Sequence, residues 1–89
     1  MTDGQKKVLD QYLHHSRVLD NEGLREFYAD GDFGLLCSNR MALSEMNLDE
    51  EKTNAVQAAD DRLTSSFDSS TLQKYADQFP TMPIRDWWG

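Results

Sequence analysis

The chain is short of most residues that would make it easy to classify. Among 89 residues it has one cysteine, two prolines, two histidines and nine basic side chains, and no apolar run nears the roughly 20 residues needed to span a bilayer. A lone Cys37 excludes an intramolecular disulfide and a cysteine-rich zinc site. There is no signal-peptide pattern and no Asn-X-Ser/Thr acceptor, so with a free thiol the chain reads as cytoplasmic. Capping-type residues straight after Met1 suggest a natural start. With 9 basic against 16 acidic residues the net charge is −7, and such a surface repels phosphate backbones and anionic headgroups. Direct nucleic-acid binding and membrane binding are therefore not expected. Also missing are a glycine-rich phosphate loop, a Glu-x-x-His metal motif, a supported Ser/His/Asp arrangement, basic-aromatic interleaving and any internal repeat. No enzymatic activity, cofactor or metal is expected.

What remains is one small helical domain spanning 1–89. A chain this short supports a single core and buries only roughly 60% of its unfolded surface. Thr2-Asp3-Gly4-Gln5 has capping-box spacing, and Val8, Leu9, Tyr12, Leu13 and Leu19 follow on one face, which predicts a helix over about 4–19. Asp20-Asn21 stops it and caps a short helix over 21–29 carrying Leu24, Phe27 and Tyr28. Asp30-Gly31-Asp32 then turns the chain; a hairpin there is disfavoured because its flanks lack strand alternation.

Phe33 to Met46 reads as a broadly apolar helix and the central one, although Gly34 weakens it by about 1 kcal/mol relative to alanine. Asn47-Leu48-Asp49-Glu50 offers a cap for a helix over 48–67, whose Val56, Ala59, Leu63 and Phe67 form the cleanest apolar stripe in the chain. Ser70 with Gln73 caps a last helix over 70–79, carrying Leu72, Tyr75, Ala76 and Phe79 and ended by Pro80. Pro83 keeps its predecessor out of helical geometry, so the 80–89 tail is expected to be extended, or at most a single turn, packed across the bundle. The predicted fold is all-α, with four or five short helices and the 4–19, 33–46 and 48–67 helices forming the core.

Few groupings carry chemical promise. Asp10 and His14 are four apart, but two ligands on an exposed face leave a zinc site incomplete, and neighbouring His14 and His15 diverge by about 100°. Asp30-Gly31-Asp32 opens like a calcium loop, yet Gly34, Leu35 and Met41 stand where that loop needs an oxygen ligand, glycine and glutamate. Cys37, between Leu36 and Ser38, reads as a buried inert thiol.

The two tryptophans, both in the tail, are more informative. A Trp side chain buries about 150–250 Å², so Trp87 and Trp88, with Ile84, either close the bundle or anchor a partner. In an extended segment successive side chains point to opposite sides, which leaves one indole available. Asp49, Glu50, Asp60 and Asp61 recur down the 48–67 helix as an acidic face suited to steering a basic partner. The expected function is a small acidic interaction or regulatory module that binds a larger protein through this tail and this face. An acidic mimic of nucleic acid that inhibits a DNA- or RNA-binding protein is the alternative, and a metal-dependent enzyme using Asp10 and His14 ranks below both. A homodimer through the alanine-rich face of the 48–67 helix or through the tail is a further arrangement that a core of this size admits.

Overall fold

The first helix begins where its capping box places it. In the computed structural model, which describes residues 2–19, 33–66 and 69–88, the Thr2 hydroxyl accepts from the Gln5 backbone N–H at 3.2 Å and Gln5 Oε1 accepts from the Thr2 N–H at 3.0 Å. This satisfies donors that a helix start otherwise leaves open. The helix, α1, runs Asp3–Val18 and buries Leu9, Tyr12 and Ser16. It is followed by α2 (Phe33–Glu45), α3 (Glu50–Ser66), α4 (Ser69–Gln78) and α5 (Ile84–Trp88), with no strand among the described residues. The all-α expectation holds. The expected 21–29 helix, the Asp30-Gly31-Asp32 turn and Phe67 lie outside the described residues.

The centre of the bundle is α1 rather than the 33–46 helix. It packs against both α2 and α3, whereas α5 packs against α3 and α4. The reason lies in how α2 distributes its apolar residues. Leu36, Cys37 and Leu43 are buried, but Leu35 is 41% exposed, so a broadly apolar composition does not translate into burial all round. One continuous cluster joins Leu9 and Tyr12 of α1, these α2 residues, Val56, Ala59 and Leu63 of α3, Tyr75 of α4 and Ile84 and Trp88 of α5.

One boundary differs from the sequence expectation. The cap of α3 is Asp49, not Asn47: its Oδ1 accepts from the Lys52 backbone N–H and its Oδ2 takes Lys52 Nζ, both at 2.8 Å. One ionised carboxylate serves the open helix terminus and a lysine together, while Leu48 just before it packs on the core. The tail packs across the domain, and of the two expected forms, extended or a single turn, Ile84–Trp88 takes the turn of helix. Proline suits the residue ahead of a helix because its φ is preset and its missing N–H is not needed there. The Pro83 carbonyl accepts from the Asp86 N–H at 3.0 Å and the Trp87 N–H at 3.3 Å. Winding places Ile84 and Trp88, four residues apart, on one face, and each is 1% exposed.

Candidate functional site

The interior holds a chain of polar groups drawn from four helices. Asp60 follows Val56 by four residues and precedes Leu63 by three, so it lies on the buried face of α3, and it is 2% exposed. Arg40, flanked on its own helix face by Leu36, Cys37 and Leu43, meets it in a bidentate pair, Nε to Oδ1 and Nη2 to Oδ2 at 2.9 Å each. The Tyr12 hydroxyl donates to the same Asp60 Oδ1 and accepts from Trp88 Nε1 at 3.0 Å. Trp87 lays its ring 5.3 Å from the Arg40 guanidinium, within cation–π range, and meets Trp88 edge to face at 5.5 Å;. Burial above all, then the hydrogen bond to Asp60 and its charge, push the Tyr12 hydroxyl far above the usual tyrosine range. It stays a donor. A carboxylate so held by a guanidinium and a phenol is spent on its neighbours, and the assembly acts as a clamp.

Its partners relocate several residues read as surface features. Ile84 and Trp88 are core, and Trp87 is half-buried over Arg40. Asp60 does not share the outer acidic face with Asp61: consecutive helical residues diverge by about 100°, so one turns inward as the other turns out. Asp61 is exposed and accepts from Gln57 Nε2 at 3.3 Å. Asp49 and Glu50 are exposed at the start of α3, and the Lys52 hydrogen bonds hold the Asp49 carboxyl below its ordinary range. Asp10 and His14 are exposed, and among the described residues no three His, Cys, Asp or Glu side chains gather into a metal site. Burial pushes the Cys37 thiol up to about 12, so the reactive thiolate is scarce.

Among the described residues, one open part of the molecule lies elsewhere, where α2 gives way to α3. A cavity of about 310 Å³ there is floored by Leu43, Val56 and the Arg40–Asp60 pair and walled by Met46 and Leu48. Asn47 and Thr53 also line it, and their side chains make no hydrogen bond to other described residues. The stretch 40–61 holds six acids against two bases, a net −4. Both bases are occupied, Arg40 by Asp60 and Lys52 by Asp49.

No family model, curated protein or solved structure matches this chain. The functional reading therefore rests on its own residues. Of these, sequence reasoning passed over Arg40 and assigned Tyr12 only to the apolar stripe. The signal was present: a base and an acid each sat at helical spacing within an apolar stripe, a place charge occupies only when paired.

Proposed function

We propose that this chain is a small non-catalytic interaction module that binds a larger, basic protein on the acidic surface at the α2–α3 junction. One observation carries the reading: within 40–61 both cations are consumed by ion pairs, while Glu45, Glu50, Glu51 and Asp61 are exposed and none is ion-paired to a described residue. Glu50 and Glu51 have a local reason to be there, since acids in a first turn complement the helix dipole. Glu45 has none. It is the last residue of α2, at the negative end of that helix, with no basic residue in the last turn, so it raises a local repulsion that a cationic partner would relieve. The tryptophans serve this reading indirectly, by building the interior rather than by reaching a partner.

Capture from cell lysate tests it, using the intact chain and E45Q/E50Q/E51Q/D61N with nuclease at low and high salt. The expected outcome is one stoichiometric protein held by the intact chain and lost with the four acids. Retention unaffected by the substitutions overturns the reading. Retention only of nucleic-acid-binding proteins, vanishing with salt, favours an acidic mimic of nucleic acid, a role the same surface charge also supports.

A further inference from the structure

Beside the acidic surface at the α2–α3 junction lies an open cavity whose lining is both apolar and polar. Its lining mixes Leu43, Met46, Leu48 and Val56 with Arg40, Ser44, Gln57 and Asp60, and since Leu43 and Val56 are buried, the apolar surface open to a guest comes from Met46 and Leu48. Met46 and Leu48 are only half-buried, and methionine is the apolar residue that most readily reshapes around a guest. Between the lining residues Ser44 and Met46 in sequence, the exposed Glu45 ends α2, a helix end without a compensating base;. Asn47 and Thr53 add polar side chains with no partner among the described residues, which suits them to a peptide's backbone amides. At about 310 Å³ the cavity sits at the floor of the ~300–1,000 Å³ range of small-molecule sites. It suits a side chain better than a cofactor.

We propose that this cavity seats one apolar side chain of a partner segment whose flanking lysines or arginines meet Glu45, Glu50 and the end of α2. The occupant is thus a basic peptide stretch with a single aliphatic anchor. The inference rests on the interaction reading above and deepens it: charge brings the segment to the surface, and the cavity selects which residue stays. Charge complementarity decides against an acidic or neutral segment, because the junction carries net −4 with both of its cations already paired.

Titration calorimetry and amide shift mapping with three blocked synthetic peptides test it: Lys-Lys-Leu-Lys-Lys, Lys-Lys-Gly-Lys-Lys and Glu-Glu-Leu-Glu-Glu. The leucine-centred basic peptide should bind at least about tenfold more tightly than its glycine counterpart, a gain within reach of burying one aliphatic side chain. Its shifts should centre on Met46, Leu48 and Thr53. L48Q, and independently M46Q, should bring the affinity of the leucine peptide down to that of the glycine peptide, with circular dichroism confirming that each variant is folded. Equal affinity for the two basic peptides, with shifts confined to the acids, overturns the cavity proposal and leaves the charge reading standing. Equal or tighter binding of the acidic peptide, or no binding of any peptide, overturns both.

Discussion

Replacing Asp60 by asparagine keeps the shape of the side chain and removes its charge, so the clamp is tested without opening a cavity. In the folded protein Asp60 Oδ1 receives Arg40 Nε and the Tyr12 hydroxyl, and Oδ2 receives Arg40 Nη2. After D60N one of those oxygens becomes an NH₂ group facing a donor, and a guanidinium whose side chain is only 14% exposed loses its counter-charge. Breaking one side of a buried ion pair costs about 3–5 kcal/mol, against a total stability of about 4–13 kcal/mol for 89 residues at the usual per-residue range. D60N should therefore lose about a quarter or more of the protein's stability, and a protein at the lower limit would unfold outright. Urea denaturation followed by circular dichroism reads this directly, and an unchanged slope would show that the effect is on stability alone. D61N is the control: its side chain is exposed, and it should fall within about 0.5 kcal/mol of the parent. A D60N cost below about 1 kcal/mol, or one equal to that of D61N, would refute the clamp.

Alkaline pH should weaken the fold through two buried groups, Cys37, raised from 9.0 to about 12, and Tyr12, raised from 10.0. Both stay protonated when folded and ionise when unfolded, so their stability is fully present below pH 9 and drains away above it. Each group costs about 1.4 kcal/mol per pH unit beyond its unfolded pKa, or about 4 kcal/mol in all by pH 11; urea midpoints should follow that decline and C37A should flatten it, whereas a flat parental profile contradicts the burial argument. W88A, which empties a fully buried site and strips Tyr12 of a donor, should cost about 3–5 kcal/mol, while W87A, losing a contact with Arg40, should cost about 0.5–2 kcal/mol; the reverse order in denaturation would be incompatible with the packing. D49A should lower the thermal midpoint by a few degrees and N47A should leave it unmoved, since only Asp49 caps α3; equal effects would reassign the cap.

How much was legible in the sequence depends on whether a local pattern had a single physical reading. Thr2 and Gln5 did, because a capping box needs nothing beyond its four residues;. So did Val56, Ala59 and Leu63, whose spacing leaves one face for the core, and Pro80, which follows the end of α4 at Gln78;. The 47–50 stretch had two, since both Asn47 and Asp49 are capping residues, and the choice was made by Lys52, which only a carboxylate could hold as an ion pair. Asp60 and Asp61 read as one feature because they adjoin in sequence, although on a helix adjacency separates side chains. Placed on the Val56–Leu63 stripe, Asp60 demands a buried cation, and Arg40 is the base that stands on an apolar stripe of a neighbouring helix. The cavity at the α2–α3 junction had no sequence counterpart, because it arises from how two helices meet over Leu43 and Val56.

A buried ion pair is weak support for stability, since hydrophobic residues of similar volume often serve as well; its better-attested use is to fix register. Here the pair joins α2 to α3 across 20 residues, the Tyr12 hydroxyl ties α1 to α3 across 48, and Trp88 ties α5 to α1 across 76. Aliphatic contacts tolerate rotation of a helix about its axis, whereas a guanidinium fork meeting a carboxylate allows little. Fixing Asp60 inward fixes Asp61 and the acids at the start of α3 outward, so the buried acid sets the direction of the exposed ones. The double variant R40M/D60L separates the two roles. With both charges gone the core should regain part of the stability that D60N loses, because no buried charge is left unpaired, while the buried Tyr12 hydroxyl, which loses its acceptor, retains a cost of about 1–3 kcal/mol;. Without the fork, α3 should sample more than one rotation, seen as broadened or doubled amide resonances over Glu50–Ser66 and weaker binding at the acidic surface. A stable double variant with one sharp set of resonances and undiminished binding would show that the clamp sets no register.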